Sequence, residues 1–163
     1  SEIIENTGLV KAGSFDICLL ASSRKEMKFR NGIHVWINFE EPENSSLLIL
    51  LSFIISGHPN WRRSNIKVFG TCKPGQYEET RSKITELVRT GRLPITEKNI
   101  EIITEEPGMT LKKLINERSA SAALTMIGFN TQALKHKGVT ILDGFNEAGT
   151  ILFVNSHNQK EIV

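Results

Sequence analysis

The chain has 163 residues, with 20 Lys and Arg against 18 Asp and Glu, a formal net charge of +2 and 23% charged residues. That length suits one domain of about 150 residues with a core of its own. The charge balance excludes a disordered acidic tail and a strongly basic nucleic-acid arm.

Two cysteines, Cys18 and Cys72, cannot make a disulfide framework and point to a reducing compartment. The longest apolar stretch, residues 47–55, is shorter than the ~20 residues a bilayer-spanning helix needs. No signal peptide is legible, and the chain begins at Ser1. It reads as a processed protein or as a piece of a longer one.

In chain order, residues 1–14 are a polar, Gly-containing lead-in, and residues 15–163 form a single α/β domain. Residues 15–21 (FDICLLA) predict a buried strand. A basic loop follows, with Arg24, Lys25, Lys28 and Arg30 against Glu26, then the Asn31-Gly32 turn. Residues 33–39 (IHVWINF) predict a strand, being β-branched and aromatic.

Glu40-Glu41-Pro42-Glu43 ends that strand, and Asn44 or Ser45 caps a helix over residues 46–56. Gly57 and Pro59 stop this helix. Its apolar residues, among them Leu47, Leu48, Leu51, Ile54 and Ile55, cover the whole circumference. A sheet covers only one side of a helix, so the other side calls for a second helix, a domain or a subunit.

Residues 66–72 predict a strand, and residues 76–90 an amphipathic helix with Tyr77, Ile84, Leu87 and Val88 on one face. Residues 99–104 predict a strand. Thr110 caps a third helix with Leu111, Leu114 and Ile115 on its core face. Residues 123–129 predict a strand. Leu134, Ile141, Leu142 and Phe145 recur at helical spacing, and residues 150–155 form the last strand. Strands alternating with helices predict a three-layer, mostly parallel, doubly wound sheet of about six strands.

Motifs for chemistry are sparse. Gly70 and Gly75 have phosphate-loop spacing between a strand and a helix. Gln76 and Tyr77 stand where Lys and Ser/Thr are required, and Pro74 removes a backbone donor. Gly128 and Gly138 faintly resemble the ATP signature of universal stress proteins, with Thr131 and Val139 at positions where that signature has Gly and Ser/Thr. An adenine nucleotide near Gly128, Thr131 and Gly138 is therefore the alternative reading.

The four histidines are scattered, with no metal spacing, so no metal and no cofactor are expected. His34 reads as a satisfied sheet histidine, and Cys18 and Cys72 as inert buried thiols. No nucleophile elbow or acid pair appears, and no enzyme is expected. Most aromatics lie inside strand or helix runs, against a nucleic-acid surface. The basic segment Arg24, Lys25, Lys28 and Arg30 is a solvated loop or a contact to anionic lipid or an acidic partner, and Arg62 and Arg63 after Trp61 are equally ambiguous.

One ordered string is more specific. Ile33-His34-Val35-Trp36-Ile37, the Leu-rich residues 44–56, Asn60-Trp61-Arg62-Arg63 and Ile66-Lys67-Val68-Phe69 follow in sequence. Together they resemble the soluble C-terminal domain of the cation–chloride cotransporters, the Na-K-Cl cotransporter family. The resemblance is tightest over residues 33–70 and extends loosely to residues 142–158. His34 stands where that family has Asp, and Ile37 where it has a second Trp. Asn44-Ser45-Ser46 replaces its pair of small residues, which fits a microbial or divergent member.

The resemblance implies a universal-stress-protein-like fold without catalysis, acting in dimerisation and transport control on the cytoplasmic side of a membrane. Its partners would be its own membrane transport domain, which couples chloride to Na⁺ and/or K⁺, and a second copy. The interface residues expected are Leu47, Leu48, Leu51, Ile54, Ile55, Trp61, Arg62 and Arg63.

Overall fold

The computed structural model describes residues 15–157, so the lead-in assigned to residues 1–14 lies outside it. Six strands are β1 (Ile17–Ala21), β2 (Ile33–Ile37), β3 (Ile66–Cys72), β4 (Ile100–Thr104), β5 (Leu124–Gly128) and β6 (Ile151–Asn155). Four α-helices join them: α1 (Pro42–Ser56), α2 (Tyr77–Thr90), α3 (Leu111–Arg118) and α4 (Thr131–Lys137). The strands form one sheet in the order β1-β6-β5-β2-β3-β4. Strands β2 to β6 are parallel to their neighbours, and β1 runs antiparallel to β6.

Alternation along the strands splits the core into two layers, because successive side chains point to opposite faces. Val35, Val68 and Met126 pack with Leu48, Ile49, Ile84 and Val88 of α1 and α2. Trp36, Phe69, Ile127 and Phe153 pack with Leu114, Ile115 and Leu134 of α3 and α4. Helices cover both faces, which explains why the central strands read as continuous apolar runs. Gly70 sits inside β3, where a Cβ would collide with the Ile84 side chain. Its role is to let α2 lie close to the sheet, and the phosphate-loop spacing is incidental.

Four sequence expectations change. First, β1 is an antiparallel edge strand, with Phe15 65% and Leu20 63% exposed, and not a buried strand. Cys18 is accordingly exposed, whereas Cys72 is buried as expected. Second, α1 begins at Pro42, because proline at a first helical position loses no needed hydrogen bond. Third, Leu111 is 42% exposed, and the core side of α3 is Leu114 and Ile115. Fourth, the helix expected from the spacing of Leu134, Ile141, Leu142 and Phe145 breaks after Lys137. Gly138 adopts φ +70° there, and the chain tightens into a 3-10 turn over Gly138–Leu142.

Candidate functional site

The strand order reverses direction between β2 and β5, and open α/β sheets offer their ligand crevice beyond the carboxyl ends of strands at such a point. A cleft of about 380 Å³ lies there, lined by residues 36–41 at the end of β2 and beyond it, Thr71 and Cys72 of β3 with Lys73 after it, Glu105 after β4 and Gly128 of β5. Its charged lining is Glu40, Glu41, Glu79 and Glu105 against Lys73 and Lys83. Lys83 is already paired with Glu79 at 2.9 Å. A polyphosphate would meet surplus carboxylate here.

The turn after β5 is closed by the chain itself. The Asn44 amide donates to the Phe129 carbonyl at 3.1 Å and to Glu41, and its oxygen accepts from the Ser156 backbone N–H at 2.7 Å. Asn155 donates to the same Phe129 carbonyl at 2.7 Å. A Cβ on Gly128 would lie 3.0 Å from the Asn44 Cβ, so any larger residue would push Asn44 back by a few tenths of an ångström.

Thr131 opens α4, but the Asn130 side chain already accepts from the Gln132 and Ala133 N–H groups. Those are the donors a phosphate would use. Gly138 lies at the far end of α4 from Thr131, about 10 Å of helix away. The residues Gly128, Thr131 and Gly138 therefore do not converge on one pocket.

His34 is buried, and its Nδ1 lies 2.9 Å from the Ser119 hydroxyl, which also accepts from the Trp36 indole N–H at 2.9 Å. The Ser119 oxygen has a second lone pair and a proton besides, so the direction of its bond with His34 Nδ1 is set by the imidazole tautomer. Burial, reinforced by the charge of Lys67, lowers the His34 pKa to about 4. Trp36 stacks on Phe69 with ring centroids 4.5 Å apart and planes at 10°. This Ser–His pair faces core and not the cleft, and it acts as a structural bolt between β2 and the end of α3. The reading of His34 as a satisfied sheet histidine holds.

The expected interface residues separate by depth. Leu47 and Leu48 are 5% and 1% exposed, buried in the chain's own core, and Trp61 is buried in the same layer. These three are core residues and cannot meet a partner without unfolding. Leu51 and Ile55 are half-buried, Ile54 is 58% exposed, and Phe53, not singled out from sequence, is 45% exposed. The apolar circumference of α1 is thus covered over its first half and open over its last turns.

Arg62 and Arg63 are exposed and stand beside the earlier basic loop. Phe29 meets Trp61 edge-on at 4.8 Å, and Ser64 Oγ donates to the Phe29 carbonyl at 2.5 Å. Nothing in the sequence spacing announced that contact, nor the Asn44 and Ser119 bonds. Among the described residues no group of three or more His, Cys, Asp or Glu converges as a metal site.

The fold defines a class: a three-layer, mostly parallel, doubly wound α/β domain. No family model matches the chain, and no curated protein sequence matches it. Among solved structures it is similar to the cytoplasmic domain of a prokaryotic cation chloride cotransporter, with a TM-score of 0.63 and 14% identity. The similarity covers 99% of this chain and 60% of that one, so the chain spans three-fifths of the length of that structure. At this identity the likeness is one of fold. No helix among the described residues is long and apolar enough to cross a membrane.

Proposed function

We propose that this chain is a non-catalytic regulatory and dimerisation domain of a cation–chloride cotransporter, working on the cytoplasmic side of the membrane. The observation that carries the reading is the shared fold over 99% of the chain with the cotransporter cytoplasmic domain. The ordered string over residues 33–70 resembles the same family independently of that fold. Its parent would couple chloride to Na⁺ and/or K⁺ in membrane helices that precede Ser1.

The domain acts by position: a second copy, or loops of the membrane domain, seats on α1 and biases the transport cycle. The exposed Phe53 and Ile54, with Leu51 and Ile55 beside them, are the surface on offer. The absence of catalysis is supported by the burial of the Ser119–His34 pair and by the low pKa of His34, which makes it a weak base.

The coding sequence upstream of Ser1 tests the parentage. Repeated apolar stretches of ~20 residues there support it. A start codon immediately before the Ser1 codon, with no such stretches, overturns it. Sedimentation of the chain tests the self-contact: association weakened by Ile54→Asp supports it, and a strict monomer at high concentration counts against it.

A further inference from the structure

The two basic segments that the sequence separates by some thirty residues form one surface. Arg24, Lys25, Lys28 and Arg30 precede β2, and Arg62 and Arg63 precede β3, so parallel neighbours place both loops at the same, amino-terminal end of the sheet. The Phe29–Trp61 edge contact, the Ser64–Phe29 hydrogen bond and the Ile33 N–H bond to the Asn65 carbonyl at 2.9 Å lock the loops together. Gly32, at φ +83°, lets the first loop press on Asn65, where a Cβ would collide with the carbonyl.

All six cations are exposed. Among the described residues, only Lys25 of the six has a carboxylate partner, Glu147 at 3.9 Å. Phe29 stands among them with 37% of its surface exposed. The opposite end of the sheet carries a surplus of carboxylate, with Glu40, Glu41, Glu78, Glu79, Glu105 and Glu106 around the cleft and the first turn of α2 against Lys73, Lys83 and Lys113.

We propose that the locked pair of loops, Arg24–Lys25–Lys28–Arg30 with Arg62–Arg63 around Phe29, docks this domain on an anionic lipid bilayer, basic end down. Clusters of about four to eight Lys and Arg at a membrane surface are the electrostatic footprint of anionic-lipid binding, and this rim presents a cluster of that size in which only Lys25 is paired among the described residues. A partly exposed aromatic ring among them suits the headgroup boundary. The ring is edge-on to Trp61 and solitary, whereas single-stranded nucleic acid needs a row of stacking faces. The acidic opposite end is repelled by the same leaflet, which sets the orientation. The proposal rests on the charge layout of this chain and not on the cotransporter reading. Either can fail alone, since vesicles report on the surface and the upstream coding sequence on the parentage.

The test is co-sedimentation of the 163-residue chain with phosphatidylcholine vesicles, with and without roughly 30 mol% phosphatidylserine. Binding to the anionic vesicles alone, lost as salt is raised, is expected. Arg62→Glu with Arg63→Glu should weaken it by at least about tenfold, and Lys28→Glu with Arg30→Glu similarly. These side chains are exposed, so an unchanged thermal midpoint confirms folding. Lys73→Glu with Lys113→Glu makes the same charge change at the opposite end and should leave binding within about twofold. Equal binding to neutral vesicles, no binding to either, equal loss in both sets of variants, or capture by a duplex oligonucleotide in place of vesicles would each overturn it.

Discussion

Helix α1 runs from the carboxyl end of the sheet to the amino end, and its two ends are built differently. At the first, Asn44 ties the helix to β5 and to the residue after β6, and Leu47, Leu48 and Ile49 are sealed against the sheet. At the second, Phe53 and Ile54 lie open beside a rim of unpaired cations. A helix whose apolar run over residues 47–55 is broken only by Ser52 is therefore core at one end and surface at the other. The difference comes from what covers it: α2 closes on Ile49 through Gly91, where a Cβ would collide with the Ile49 side chain. The closed end has used its polar groups on itself, and the open end has kept its charges for something outside.

The sharpest way to break this contrast is to hollow the closed end. Leu48→Ala should cost about 3–4 kcal/mol in urea unfolding, since a fully buried leucine leaves a cavity behind. A cost below about 1 kcal/mol would mean that the residue is not in the core.

The His34 bolt comes next. Its folded pKa of about 4 lies below the ordinary 6.5. The unfolded chain therefore takes up the proton first as pH falls. The stability this group provides is full above pH 6.5 and drains away down to about pH 4, by at most about 3 kcal/mol. His34→Gln should flatten that slope in urea titrations run at several pH values.

Asn44→Ala should cost about 2 kcal/mol by removing the side chain that bonds the Ser156 N–H, the Phe129 carbonyl and Glu41. It should not create nucleotide affinity, because Asn130 still caps α4. At the open end, Ile54→Ser should change stability by less than about 1 kcal/mol while reducing self-association in sedimentation. The smallest expected effect is none: ATP at millimolar concentration should produce no heat in calorimetry. Binding there would favour the nucleotide-sensing alternative and assign the carboxyl-end cleft a ligand.

Much of the architecture was legible along the chain. The strand Ile33–Ile37 is β-branched and aromatic throughout, Ile66–Cys72 is rich in such residues, and Thr110 and Gly57 mark helix limits by local chemistry. Such signals survive because they depend on neighbours in sequence. The antiparallel pairing of β1 was not legible, since an edge strand and a buried strand share composition and differ only in what lies beside them. The candidate site fared less well. Gly128, Thr131 and Gly138 are present, yet Asn44 and Asn130 occupy the donors and the space a ligand would need. Leu48 and Ile54 are equally apolar in sequence, and only packing separates core from surface.

The amino-acid order alone thus determined the α/β alternation, the placement of most elements and the presence of two basic segments and one helix with apolar residues around its whole circumference. These follow from periodicity, caps and charge, which are local. The tertiary structure alone decided that the basic segments share one rim, that α1 is half core, and that the switch-point turn is filled by Asn44. Each of these depends on groups brought together from distant parts of the chain by the parallel strand order, and the sequence pattern carries no record of that meeting.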